Sequence, residues 1–199
     1  MKQSVNTRKL VTLAMLSAIL LVMSFTPLGY LNIGPLAISL NMIPVGIAAI
    51  TLGPQGGMIL GAVFGLTSFL QCIGIGGTSA MGAILFDVSP VLAFIQRFVP
   101  RLLAGLLSGF IYSGCKKLVG STVSGFVTGA CAALLNTVLF MSALVLLFGN
   151  TTYLQELIGG RNIIVFICTF VGINAVVEVI ASTLAVGTVS KVLEKVWRK

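Results

Sequence analysis

The chain has 199 residues, of which 57% are hydrophobic and only 8% charged, with no histidine and a mean hydropathy of +1.13. One soluble core of this length cannot hide so much apolar surface, so a soluble domain is excluded and an integral membrane protein is indicated. The net charge of +8 comes from cations that flank the apolar runs instead of gathering in a polar domain, which argues against a nucleic-acid-binding surface.

Lipid gives backbone polar groups no partner, so the spanning elements must be helices or a closed barrel, and these runs lack the period-two alternation of barrel strands. The expectation is an all-α membrane protein whose single domain covers residues 1–199. Six spans are expected, at residues 10–26, 36–52, 57–73, 90–115, 121–148 and 163–189. At about 1.5 Å per residue the first three barely cross roughly 30 Å of hydrocarbon, whereas the last three can tilt or protrude. Arg8 and Lys9 open the first run as a secretory signal would. It continues through Phe25, Thr26 and Pro27 without a small-x-small cleavage pattern, so it reads as a retained helix. Asn41 and Pro44 interrupt the second, which predicts a kink or partial unwinding there.

With six spans, Lys2, Arg8 and Lys9, then Lys116 and Lys117, then Lys191, Lys195, Arg198 and Lys199 all fall on one side. The other side carries Asp87, Glu156 and Arg161, so the positive-inside rule puts both termini in the cytoplasm of a multi-pass protein of the cell membrane. Cytoplasmic connections are short: Gly53, Pro54, Gln55 and Gly56 predict a tight turn, and Lys116 to Gly120 another. Outer connections read PLGYLNIGPLAIS over residues 27–39 and QCIGIGGTSAMGAILFDVS over residues 71–89, both too apolar for solvated loops. Such segments either fold back as a lid over the bundle or lie in the membrane interface.

Small residues mark helix contacts: Gly57, Gly61 and Gly65, then Gly105 and Gly109, then Gly125 and Gly129. Ala14 and Ala18 make a similar face on the first span. It serves another membrane subunit if it points away from the bundle and intrachain packing if it points inward. Cys72, Cys115, Cys131 and Cys168 are scattered, without metal-ligand spacing, and read as packing residues.

The polar residues inside the spans carry the functional signal. An arginine at the centre of a bilayer costs at least about 2.5 to 3.5 kcal/mol unless a cavity, partner or ligand receives it. Arg97 and Arg101 stand one turn apart and point the same way; Asn174 and Glu178 repeat that spacing, and Asn136 adds an amide. If these faces meet, they form a pocket in the outer half of the bundle, with an arginine fork for a carboxylate and amides for neutral groups. Two readings of Arg101 and Glu178 stay open, a buried pair that orients two helices or ligand contacts. Arg97 has no evident acidic partner. Gln96 faces elsewhere and is expected to snorkel, while Gln71, Thr78 and Ser79 read either as ordinary polar groups of the outer loop or as ligand contacts.

Absences narrow the function. The chain has no G-x-x-x-x-G-K-[ST] loop, so it does not hydrolyse ATP, and no histidine or acid pair for proton relay, cofactor or metal chemistry. An enzyme is therefore not expected. A stand-alone channel would need a polar line through the whole bundle, and an ion-driven carrier more than one intramembrane acid.

The order and spacing of TRKLVTLAMLSAIL, of IPVGIAAITLGPQGGMILGAVFGLTSF over residues 43–69, and of VPRLLAGLLSG over residues 99–109 resemble one family. It is the substrate-binding S components of energy-coupling factor (ECF) vitamin transporters. That resemblance implies a vitamin receptor working with a transmembrane T component and two cytoplasmic ATPases that supply the energy. It implies a ligand enclosed by the first outer loop, including Asn32, by the loop with Gln71, and by Arg97, Asn136 and Asn174. It also implies T-component docking at Ala14 and Ala18. The FGLTSF stretch looks most like the pantothenate branch, with pyridoxine or riboflavin as the alternatives. Few aromatics near the expected site speak against a large flat ligand.

Overall fold

Among the described residues, seven α-helices and one small β-ribbon follow one another along the chain. They are α1 (Lys2–Phe25), β1 (Tyr30–Asn32), β2 (Ala37–Ser39), α2 (Met42–Leu70), α3 (Ala80–Val88), α4 (Pro90–Val119), α5 (Ser121–Phe148), α6 (Thr152–Ile158) and α7 (Ile163–Trp197). This computed structural model describes residues 2–26, 29–32, 37–77 and 79–197; the side chains of residues 2–6, 31, 32, 37, 38, 164, 170, 173, 196 and 197 are not described. Thr78 and the side chain of Asn32 thus lie outside the described residues.

Among the described residues, five helices are long and apolar enough to cross a membrane, at Thr7–Phe25, Met42–Ile73, Pro90–Val119, Ser121–Phe148 and Asn174–Lys195. The second and third expected spans run together in α2, interrupted only at Gly53, whose φ of 75° and ψ of −163° are not helical. A Cβ placed on Gly57 would lie 3.2 Å from the Cβ of Ala49. Eight residues along a straight helix separate two positions by about 12 Å, so the chain doubles back at Gly53. The expected four-residue turn shrinks to one residue for a local reason. Glycine alone reaches this φ without strain, and Pro54, whose own φ suits a first helical position, starts the returning half.

The outgoing half, residues 42–52, is shorter than the sequence suggested and rises only about 16 Å, roughly half of a hydrocarbon core. An antiparallel ribbon precedes it, with Tyr30 opposite Ser39, Leu31 opposite Ile38 and Asn32 opposite Ala37. Ser39 and Asn41 at its end are buried in protein, the condition on which non-helical backbone is tolerated within a membrane bundle.

Between helices in lipid, close packing replaces the hydrophobic drive, and the glycine rows permit it. A Cβ on Gly57 would overlap the carbonyl of Gly105, one on Gly105 the carbonyl of Gly57, and one on Gly61 the carbonyl of Arg101. Backbone thus meets backbone along α2 and α4, while α5 packs between α4 and α7 and β2 rests on α7. Leu16, Leu20, Val45, Ala48, Leu60, Phe64, Ala104 and Ala132 form the central core. At the end bearing α3 and α6, those two short helices close a second core through Met81, Leu85 and Leu154 against Met141, Leu144, Phe148 and Phe166. At the opposite end Glu194 accepts from the Thr122 amide at 3.0 Å and the Thr122 hydroxyl at 2.6 Å, tying α7 to the start of α5.

Helix α1 attaches mainly to α2. Leu16, Leu20 and Ser24 turn inward, whereas Leu10, Ala14, Met15, Ala18, Ile19 and Val22 are exposed. The Ala14 and Ala18 face therefore points away from the bundle.

Candidate functional site

Helix α4 brings the arginines to the interior. Ser89 caps it by accepting from the Leu92 amide, Pro90 occupies the first turn, and the glycine contacts with α2 fix its rotation. Arg97 and Arg101 are then only 7% and 5% exposed. Arg97 Nη2 donates to the Ser79 hydroxyl at 3.2 Å, and the same hydroxyl accepts the Gly82 amide at 3.2 Å as the cap of α3. Arg101 Nη1 donates to the Arg97 carbonyl at 2.8 Å.

Aromatic rings flank both cations. The Arg101 guanidinium carbon lies 4.6 Å from the Phe64 ring centre and 4.8 Å from that of Phe140, and Arg97 lies 5.2 Å from Phe140. Two planar cations set against one aromatic ring are attracted by its quadrupole. The expectation of few aromatics at the site is corrected here. Overall composition could not show that two of the chain's phenylalanines stand on the arginines. Asn136, one turn before Phe140 on α5, is buried with its Oδ1 unpaired among the described residues.

The ribbon supplies the remaining wall. Tyr30 extends its side chain beside Asn41 and Ser68, near enough to Arg97 and Arg101 to feel their charge. Glu178 Oε1 accepts from the Ser39 amide at 2.6 Å. Glu178 lies within electrostatic reach of Arg101, yet among the described residues no ion pair joins an acid to either arginine.

These contacts converge on one region. The expected residues Arg97, Arg101, Asn136, Asn174 and Glu178 are all buried. Gln71 is buried too, but its Nε2 donates to the Ser24 carbonyl at 2.7 Å, fastening the end of α2 to α1. Gln96 does not snorkel: it is fully buried, with both amide atoms unpaired among the described residues. Rotation by one residue from Arg97 turns it off the arginine face, and its position in a helix packed against α2, α3 and α5 leaves it no route to water. Asn41, Phe64 and Phe140 border the arginines or Tyr30 and were passed over by the sequence reading, whereas Tyr30, Ser39 and Ser79 lie in the outer segments it had named. Phe140 carried a usable signal, its one-turn spacing from Asn136; Ser39 acts through its backbone and carried none.

Among the described residues, Tyr30 Oη, Ser39 Oγ, both Asn41 amide atoms, Arg97 Nε, Arg101 Nε and Asn136 Oδ1 are buried without a hydrogen-bond partner. An unpaired buried polar atom costs about 1 to 3 kcal/mol, so this group of them makes the region the candidate site for a polar guest. Residues 8–190 match the family described as ECF transporter, substrate-specific component. The chain belongs to this family.

Members of this family are transport receptors, not enzymes: S components bind a vitamin in the cell membrane and work with a T component and ATPases. Two relatives extend the likeness over nearly the whole S component. A protein of Leuconostoc mesenteroides subsp. mesenteroides named pantothenate transporter PanT is 30% identical over 198 residues, covering 94% of this chain and 93% of that protein. A protein of Lactococcus lactis subsp. cremoris named pantothenic acid transporter PanT is 28% identical over 195 residues, covering 92% of each.

Proposed function

We propose that this S component captures pantothenate from outside the cell and, with a T component and two ATPases, delivers it inward. The observation that carries this reading is a charge count. Arg97 and Arg101 bring two buried positive charges, and Glu178 offsets at most one, so the site keeps a cationic excess that a monocarboxylate neutralises. Pantothenate has one carboxylate together with hydroxyl and amide groups, which suit Asn136, Asn174 and Tyr30. Pyridoxine and riboflavin carry no carboxylate and would leave the arginines unmatched. The names of the two relatives support the same choice.

In this reading the doubled-back α2 supplies two of six membrane passages, α1, α4, α5 and α7 supply the others, and both termini lie in the cytoplasm. The cations at both ends and at Lys116 and Lys117 then share one side. The exposed Ala14 and Ala18 face receives the T component. The deciding measurement is calorimetric titration of purified protein with pantothenate, pyridoxine and riboflavin, together with mass spectrometry of any vitamin that co-purifies. Tight binding of pantothenate alone is expected; no binding, or preference for a neutral vitamin, overturns the assignment.

A further inference from the structure

The hydrogen bond between Glu178 and Ser39 spans 139 positions of sequence and joins the ribbon to α7. Its place in the ribbon gives it a purpose. Leu40 donates its amide to the Gly29 carbonyl at 3.0 Å, so residues 29 and 40 form a hydrogen-bonded pair and the neighbouring pair, Tyr30 and Ser39, does not. The Ser39 N–H therefore points away from β1, along the free edge of the ribbon. That edge is buried, and a carboxylate accepting the exposed amide is the strong, charge-assisted way to satisfy it.

The position of this bond matters as much as its strength. Ser39 stands directly opposite Tyr30, whose side chain lies beside the arginines, and two residues before Asn41, where α2 begins. Fixing Ser39 thus fixes the register of the ribbon, the reach of Tyr30 and the entry into α2. Glu178 uses Oε1 for this bond and makes no ion pair with Arg97 or Arg101 among the described residues.

We propose that Glu178 is a positioning residue that latches the β1–β2 ribbon over the arginine pair by accepting the Ser39 N–H, without itself contacting the vitamin. The proposal rests on the reading of this site as the vitamin site, and its test separates the two. Hydrogen–deuterium exchange of the segment around residues 37–41, measured on ligand-free protein in nanodiscs, reads the latch; the dissociation rate of pantothenate reads its consequence. Glu178→Leu removes the acceptor and is expected to speed both by about 10-fold or more, the usual scale for losing a hydrogen bond to a charged group, with association nearly unchanged. Glu178→Gln keeps a carbonyl oxygen in place and is expected to stay within about 3-fold of the parent on both readouts.

Ser39→Pro deletes the donor from the other side, at a ribbon edge where proline breaks no ladder bond, and serves even if Glu178→Leu fails to fold. It is expected to reproduce the fast dissociation, and adding Glu178→Leu to it should change little more, because both remove the same bond. Two results overturn the latch. One is unchanged exchange of the ribbon in Ser39→Pro or Glu178→Leu. The other is a Glu178→Gln protein that loses pantothenate as fast as Glu178→Leu while its ribbon stays protected, which would make the carboxylate a ligand contact. A parent protein that binds no pantothenate overturns the vitamin assignment, and the exchange measurement still decides the latch.

Discussion

Arg101 donates Nη1 to the backbone carbonyl of Arg97 at 2.8 Å, so the deeper cation of the pair spends part of its donor fork on its own helix. It is also sandwiched by Phe64 and Phe140, at 4.6 and 4.8 Å. Among the described residues the Arg97 guanidinium hydrogen-bonds the Ser79 hydroxyl alone, a neutral partner that a carboxylate displaces readily. On the proposed reading the two arginines divide the work: Arg101 is expected to set the potential and brace the turn, and Arg97 to read the anion.

Arg97→Met should accordingly weaken pantothenate binding by roughly 100-fold or more, the scale of losing a buried charge-assisted contact. The primary amide of pantothenate, which carries no charge, should lose only a few-fold. Parallel titrations of the two ligands against both proteins check this, and equal losses would remove Arg97 from charge recognition.

Phe140 contacts both guanidiniums, so its ring should matter beyond its size. Phe140→Leu is expected to lower pantothenate affinity by about 10-fold, since a desolvated cation–π contact is worth about 1 to 2 kcal/mol, whereas Phe140→Tyr should keep most of it. The side chain is only partly buried, so thermal unfolding of the ligand-free protein should shift little. A large fall in unfolding temperature with unchanged affinity would make the ring a packing element instead.

The sequence made the arginines legible because charge is rare in this chain and a buried cation must be accounted for. It made the helices legible for the reason that lipid leaves the backbone few options. The doubling back at Gly53 was visible as a turn, but the shortness of residues 42–52 was not. Apolar composition does not distinguish a half-length helix preceded by a ribbon from a full span, and residues 37–39 looked like the start of that span. Glu178 was visible as an intramembrane acid, open between a pair with Arg101 and a ligand contact; its observed partner is a backbone amide, which leaves no mark on residue identity. Gln96 was misread because periodicity tells which face a residue shares and not which neighbour covers that face.

Gly105 and Gly57 test whether the close approach of α2 and α4 sets the site. A Cβ on either would overlap the other's backbone carbonyl, and a backbone collision cannot be relieved by turning a side chain. Gly105→Val should cost at least about 1 to 3 kcal/mol of stability, as overpacking does, and displace the arginines with it. Fluorescence-detected thermal unfolding and pantothenate titration should then fall together. A variant that unfolds earlier yet binds with parental affinity would show that the arginine face is held from α5 instead.

Ala14 and Ala18 stand on the exposed face of α1, while Leu16 and Leu20 on the same helix are buried. Small residues on an exposed membrane helix allow another helix to approach closely, and a bulky side chain there blocks the approach without entering this chain's own core. Ala14→Trp should therefore leave pantothenate affinity within about 2-fold of the parent, since no site contact changes. In cells supplying the T component and ATPases, the same variant should lose nearly all uptake, and co-purification of the T component should fail. Intact uptake would move the docking surface elsewhere. Lost binding together with lost uptake would mean that α1 supports the site from within, through Leu16, Leu20 and the Ser24 contact to Gln71.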